Sequence, residues 1–300
     1  MALAQRSGPN PMMNPEKTIE LQAADGWAAI PSSLKRLDGK PRFSVNFPIA
    51  LAADVGAQHL ILNETGAGYE PPTRDLIERT LQRGDVFVDV GAHWGFFSLQ
   101  AASHPCGDIA VVAFEPDVAN AATLTENVGR NGLAEAVTVV CAACGDKNEL
   151  APLIANSTMG HSIRGVGLGL RARGPARWVP VVTLDGALPS LPPLAERRIV
   201  LKIDAEGFEP NVILGARSLL AGGRIALVVW ECGYAFREAP TRAAMLHMVA
   251  LLEACGFRQF RPADGACDGP LVSFDPQAPY VGNVFSFAPA LAAALGNAGG

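Results

Sequence analysis

Five short apolar runs in this chain end on residues that can do chemistry, and most of those residues are acidic. VFVDV carries Asp89 and passes into Gly91 and Gly95 of GAHWG; VVAF leads to Glu115; VTVV leads to Cys141, Ala142 and Ala143; VLKI leads to Asp204 and Glu206; ALVVW leads to Glu231. A carboxylate in such a place accepts hydrogen bonds from a ligand's hydroxyl or ammonium groups, or takes a proton from a nucleophile. Glycines at 91 and 95 let the backbone turn sharply and let a ligand press against it, while the N–H groups of a following helix point into the same space. Glu115, twenty residues past Gly95, is placed to accept both hydroxyls of a ribose. Together these residues describe a site for an adenosine-type cofactor.

The glycine turn also narrows which cofactor. A nicotinamide site reads G-x-G-x-x-G, and its middle glycine admits a pyrophosphate. Here the stretch is D-V-G-A-H-W-G, with His93 at that place. A bulky side chain there argues for a cofactor without a pyrophosphate, S-adenosylmethionine, and against a nicotinamide-dependent oxidoreductase, which stands as the rival reading.

These residues need a frame that brings strand ends together. From Gly84 onward, apolar runs of five to seven residues alternate with helix-like segments such as DVANAATLTENVGRNG and PTRAAMLHMVALLEACG. Runs without period-two alternation are strands covered on both faces, so the expectation is an α/β fold with a mostly parallel sheet and helices on both sides. In such a sheet ligands bind beyond the carboxyl ends of the strands, where strand order reverses. NELAPLIA and ARWVPVVTLDG interrupt the alternation as two extra strands around a glycine-rich connection that holds His161, Arg164, Arg171 and Arg173, with Arg177 just beyond. The predicted organisation is an N-terminal arm with short strands over 1–68, one domain over 69–290 with an inserted hairpin and loop at 145–198, and a flexible tail over 291–300.

Composition sets the class. With 300 residues, 49% hydrophobic and 18% charged, the chain can bury a large core, and its net charge of −5 is too mild for a nucleic-acid surface. No run approaches the ~20 apolar residues of a membrane span, and no signal-like segment follows Met1, so a cytoplasmic enzyme with a small-molecule acceptor and neither nucleic-acid nor membrane partner is expected. Six cysteines lie without a pairing pattern. Cys141 and Cys144 form a single CxxC, which reads as a buried strand end rather than zinc.

The blocks YEPPT at 69–73, GDVFVDVGAHWGFFSL from Gly84, VVAFEPDVANAATLTENVGRNGL from Val111, VTLDGAL from Val182 and LKIDAEGFEPNVILGA from Leu201 resemble the FkbM family of class I S-adenosylmethionine-dependent methyltransferases. K-I-D-x-E-G-x-E is the most specific of them, and His93 departs from the family's more usual Asn. The resemblance implies a Rossmann-like, seven-stranded sheet whose last pair is antiparallel, with FRQFRP and GNVFSFAP as that ending. It implies that Asp89, Gly91 and Gly95 surround the methionine part of the cofactor, that Glu115 takes the ribose, that Ala142 borders the adenine, and that Glu70 and Thr73 fold over as a cover. It also implies methyl transfer to a hydroxyl of a sugar or secondary metabolite, with N-methylation of a small amine as the alternative.

An unactivated hydroxyl needs a base. Asp204 and Glu206 leave the fourth strand together: Asp204 is expected near the methyl centre or on the cofactor's ammonium, and Glu206 toward the acceptor. The bland alternative has Glu206 capping the next helix. His161 is the competing base. Lys202 can pair with Asp204. Mg²⁺ held by Asp204 and Glu231 is chemically reasonable but not favoured, and no metal ligands are assigned. The arginines at 164, 171, 173 and 177 would suit an acidic acceptor.

Overall fold

The computed structural model describes residues 22–52, 55–64, 68–155, 161–163, 177–191, 194, 196–237, 239–263 and 270–297. The first elements are an antiparallel sheet of β1 (Gln22–Ala24), β2 (Trp27–Pro31) and β3 (Ser44–Pro48), followed by α1 (Val55–Glu64) and α2 (Pro71–Thr80). The alternating region supplies β4 (Val86–Val90), α3 (Phe96–Ala102), β5 (Ala110–Phe114), α4 (Val118–Arg130) and β6 (Val137–Val140). Next come β7 (Ala143–Cys144), β8 (Glu149–Ala155), β9 (His161–Ile163), β10 (Arg177–Val182) and α5 (Leu184–Ala187). The chain continues through β11 (Ile199–Ile203), α6 (Glu209–Leu214), α7 (Arg217–Ala221), β12 (Ile225–Cys232), α8 (Ala239–Ala254), β13 (Arg258–Pro262), β14 (Leu271–Ser273), β15 (Gly282–Phe287) and α9 (Pro289–Asn297).

The main sheet runs β14-β13-β15-β12-β11-β4-β5-β6. Its five strands from β6 to β12 are parallel, and each crossover between them carries a helix. All five residues of β4 and of β11 are buried, which is why their sequences show no polar alternation. β15 inserts antiparallel beside β12, and β13 pairs antiparallel with β15, as the sequence leads one to expect. The sheet has eight strands rather than seven, because the three-residue β14 adds to the edge of β13. Strand order reverses between β4 and β11: the chain moves outward to β5 and β6, then returns to the other side of β4.

Two apolar layers cover the sheet. On one side Val88, Val90, Leu201, Val228 and Trp230 pack with α6, α7 and α8; on the other Phe87, Val200, Leu227, Phe285 and Phe287 pack with α2 and α3. In the segment before residue 69, β2 and β3 bury Ala28, Ile30, Val45 and Phe47 in the second of these layers, and Phe47 stacks on Trp94 with ring centres 5.4 Å apart. Polar residues fix the attachment: the Asn127 carboxamide accepts from the Asn46 backbone N–H at 2.6 Å, and the Asn131 carboxamide oxygen accepts from that of Ser44 at 2.9 Å. The expected flexible tail is helical as far as Asn297, since α9 packs Ala292 against the same layer.

The interruption at 145–198 holds the predicted antiparallel strands, β8 and β10, and also β9; with β7 just ahead of it they form a sheet in the order β7-β10-β8-β9. Its inner residues Ala151, Leu153, Val179 and Val181 pack on Phe208, which follows β11. The small sheet is thereby anchored beside the carboxyl ends of the main strands. Arg164, Arg171, Arg173 and Cys267 lie outside the described residues. No helix among the described residues is long and apolar enough to cross a membrane.

Candidate functional site

Alternation along a strand decides which residues meet. Asp89 of β4, Lys202 of β11, Glu231 of β12 and Asn283 of β15 each continue the set of side chains that faces α2 and α3. Register then makes neighbours of Asp89 and Lys202, and of Glu231 and Asn283. Each polar residue lies toward the end of an otherwise apolar row, so the row ends where the cleft begins.

The cleft opens at the reversal between β4 and β11. Its walls include Asp89, Gly91, His93, Trp94, Glu115, Ala142, Lys202, Asp204 and Glu206, with Tyr69, Phe97 and Phe208 supplying apolar surface. The volume is about 1060 Å³ including its solvent-filled mouth. The sequence therefore brings together Asp89, Gly91, His93, Glu115, Ala142, Asp204 and Glu206 as expected.

The two glycines serve the chain itself. A Cβ on Gly91, whose φ is +77°, would lie 1.9 Å from the Asp204 carbonyl oxygen, and one on Gly95, at φ +91°, would lie 2.2 Å from Leu124 Cδ1. So the space each leaves is filled by the turn after β11 and by α4, not by a ligand; what the cleft gains is close approach of its two walls. The Asp204 N–H donates to the Val90 carbonyl at 3.0 Å and completes that seam. His93 at φ 50°, Glu206 at φ 52° and Glu70 at φ 40° are three of the five non-glycine residues with left-handed backbone among the described residues. Such strain concentrates where surrounding structure holds a site in place.

Lys202 is the buried cation of the site. Its Nζ donates to Asp204 Oδ2 at 3.2 Å and lies 4.8 Å from the centre of the Phe97 ring. Burial pulls its pKa down, but Asp204, Asp89 and Glu70 together outweigh burial and hold it above the ordinary lysine value. Asp89 is 1% exposed; its Oδ2 accepts from the Ser98 hydroxyl at 2.7 Å, and its Oδ1 has no hydrogen-bond partner among the described residues. A buried carboxylate oxygen left open on a cleft wall is a place for a ligand's donor.

Glu115 accepts from two backbone N–H groups, His93 at 2.9 Å and Asp117 at 2.9 Å, and burial lifts its pKa to about 7. The Asn120 side chain adds a third hydrogen bond, which still leaves a carboxylate lone pair for a ligand hydroxyl. Glu206 is also lifted to about 7, by burial and then by Asp204. The turn that leads into α6 is held by Glu209, whose Oε1 accepts from Ala205 N–H at 2.8 Å and Gly207 N–H at 3.3 Å. Glu231 is lifted furthest, to about 9, first by the charge of Asp204, then by burial, Glu209, Glu206 and Glu70.

Glu70 and Thr73 sit behind the cleft wall, and Tyr69 lines it. One side chain missed in the sequence explains this. The Asn283 amide donates to Glu70 Oε2 at 2.7 Å and to Thr73 Oγ1 at 2.8 Å, fastening the start of α2 to β15. Its signal is the N of GNVFSF, a polar residue on the face that next carries Phe285 and Phe287. Glu209 was visible as the last acid of K-I-D-x-E-G-x-E, without a role. His161 belongs to edge strand β9, paired with Ala155, rather than to a loop, and its side chain lies outside the described residues. Cys141 is exposed while Cys144 is buried in the cleft wall. Arg177 is paired with Asp117 at 2.5 Å. No group of three His, Cys, Asp or Glu side chains among the described residues forms a metal-holding arrangement.

The model of the methyltransferase FkbM domain matches residues 89–259, more than half of the chain. The chain belongs to the FkbM methyltransferase family. Its fold is the Rossmann-like class I methyltransferase fold, and family membership decides against the nicotinamide alternative. No curated protein matches the sequence. Among solved structures, similarity extends to the methyltransferase FkbM from Methylobacillus flagellatus KT, at 16% identity and TM-score 0.46, over 69% of this chain and 44% of that one. The chain thus spans less than half of that protein. A precorrin-6y C5,15-methyltransferase from Geobacter metallireducens GS-15 is 15% identical over 72% of this chain and 87% of its own, with TM-score 0.38. A SAM-dependent O-methyltransferase from Thermotoga maritima is 15% identical over 73% and 65%, with TM-score 0.35.

Proposed function

We propose that this FkbM-family protein transfers a methyl group from S-adenosylmethionine to a hydroxyl of a sugar or secondary metabolite. The supporting observation is the convergence of Asp89, Asp204 and Glu206 with the single cation Lys202 at the strand-order reversal. The open Oδ1 of Asp89 and the remaining acceptor position of Glu115 fit a ligand with an ammonium group and a ribose hydroxyl. Asp89 and Asp204 would hold the methionine portion, Glu115 the ribose, and Ala142 the edge of the adenine. When bound, the cofactor supplies an electrophilic methyl on a sulfonium sulfur: the new O–C bond forms as the S–C bond breaks. Glu206, on the cleft wall and lifted toward neutrality, accepts the acceptor's hydroxyl proton. Lys202 keeps Asp204 oriented and offsets its charge. The crowding of carboxylates also supports N-methylation, since an amine nucleophile leaves less work for a base.

Calorimetric titration with S-adenosylmethionine, S-adenosylhomocysteine and NAD in parallel tests the cofactor; binding of the first two alone is expected. Glu206→Gln should then retain cofactor affinity and lose about 10²- to 10⁴-fold in turnover. Unchanged turnover would remove Glu206 from catalysis.

A further inference from the structure

A separate cavity lies on the other face of β12. Cys232, the last residue of that strand, turns toward the layer of α6, α7 and α8, away from Glu231. There a cavity of about 830 Å³, its open mouth included, is lined by Cys232, Phe236, Met245, Phe274 and Tyr280. It has no described lining residue in common with the cleft at the reversal of strand order. A packed interior holds few voids larger than a water molecule, so space on this scale is a feature of the fold. Its walls are fixed: Phe274 meets Trp230 and Tyr280 edge-on, with ring centres 5.6 and 5.9 Å apart, and the Tyr280 hydroxyl donates to the Asn283 carbonyl at 3.0 Å. Pro276 and Pro279 stiffen the rim, where the Gln277 N–H donates to Asp275 Oδ1 at 2.8 Å.

The charge of this cavity has one sign. Arg237 and Arg242 are the only Lys, Arg, Asp or Glu among its described lining residues. Burial pushes the Cys232 thiol and the Tyr280 phenol up to about 12, so both stay neutral. Glu209 and Glu231, the acids that act on Cys232, are lifted to about 8 and about 9 and keep their protons at pH 7. Arg242 Nη2 donates to the carbonyls of Pro276 at 3.4 Å and Gln277 at 2.9 Å and to Gln277 Oε1 at 3.4 Å, all of them neutral oxygens. Its Nε and Nη1 bond to no described residue, which leaves a cation with donors to spare beside an aromatic wall.

We propose that this cavity is a second ligand site, which binds a small aromatic carboxylate with its rings against Phe236, Phe274 and Tyr280 and its carboxylate on Arg242. The site stands whether or not the cleft transfers methyl groups. Ring contacts supply apolar burial and edge-to-face geometry, and the ion pair with a guanidinium fixes which end faces out. A neutral aromatic keeps the first and loses the second. A short aliphatic carboxylate keeps the ion pair and leaves the walls bare.

Three probes separate ring from charge: 2-naphthoate, 2-naphthamide and acetate. Each is titrated calorimetrically into the full chain, with and without S-adenosylhomocysteine. One 2-naphthoate per chain should bind, about tenfold or more tightly than 2-naphthamide, with no binding of acetate. Saturating S-adenosylhomocysteine should leave that affinity unchanged, since the two sites have separate walls. Arg242→Gln should reduce 2-naphthoate to the affinity of the amide and Arg242→Lys should keep a preference for the acid, with thermal unfolding confirming that both variants fold. No binding of 2-naphthoate, equal affinities for acid and amide, a preference unchanged in Arg242→Gln, or displacement by S-adenosylhomocysteine would overturn the site. Failure of S-adenosylhomocysteine itself to bind would overturn the methyl-transfer reading and leave the binding of 2-naphthoate to decide this one.

Discussion

At the scale of single residues, Gly91 and Gly84 separate two reasons for a glycine. Both have left-handed backbone, with φ of +77° and +90°, but only at Gly91 would a Cβ strike the Asp204 carbonyl; at Gly84 nothing lies within 4 Å. Gly84→Ala should cost about 1–2 kcal/mol from backbone strain alone. Gly91→Ala should cost more in urea unfolding and also weaken cofactor binding, because the displaced turn carries Asp204. Lys202→Met makes the opposite test, leaving the buried Asp89 and the half-buried Asp204 without their cation. It should destabilise the protein by about 3–5 kcal/mol at pH 7, and part of the loss should be recovered at low pH as the carboxylates protonate.

Among elements, the join of α2 to β15 carries the roof of the cleft. Asn283→Ala removes both donors to Glu70 and Thr73 and should cost about 1–3 kcal/mol. Amide hydrogen exchange should quicken locally over residues 69–75, with β4 and β11 unchanged; uniform acceleration would show that the join supports the whole fold instead. This join was not legible in the sequence, whereas the strand ends were. Asp89, Glu115, Asp204 and Glu231 each interrupt or close an apolar run, so position along the chain is enough to find them. Asn283 meets partners far away in sequence, and nothing local marks them. The glycines show the same limit: their spacing announces a turn, but only the folded chain shows that the turn after β11 and Leu124 occupy their open sides. The eighth strand escaped for a simpler reason, since LVS is too short to show a period.

For the molecule as a whole, burial of acids gives stability a definite slope with pH. Glu115 and Glu206 are lifted to about 7, Glu209 to about 8 and Glu231 to about 9, all from an ordinary value of 4.5. The folded state thus holds protons that the unfolded chain releases. That contribution is fully present below pH 4.5 and is lost as pH rises through about 9. The melting temperature of ligand-free protein should fall between pH 5 and pH 9, and Glu231→Gln should flatten the upper part of the curve. The N-terminal sheet is equally part of the whole. Phe47 is fully buried against Trp94, and Phe47→Ala should cost about 3–5 kcal/mol, a loss expected of a core residue and not of an appendage.

The bond from Asn283 to Glu70 joins positions 213 residues apart, and that from Asn46 to Asn127 joins positions 81 apart. During synthesis at roughly 5–20 residues per second, the early strands must therefore wait seconds for α4, and the join of α2 to β15 waits until residue 283 has been made. A ribosome-bound chain stopped before residue 283 should have most of its parallel strands and still no closed cleft. The order of assembly thus delays ligand binding until β15 has been made.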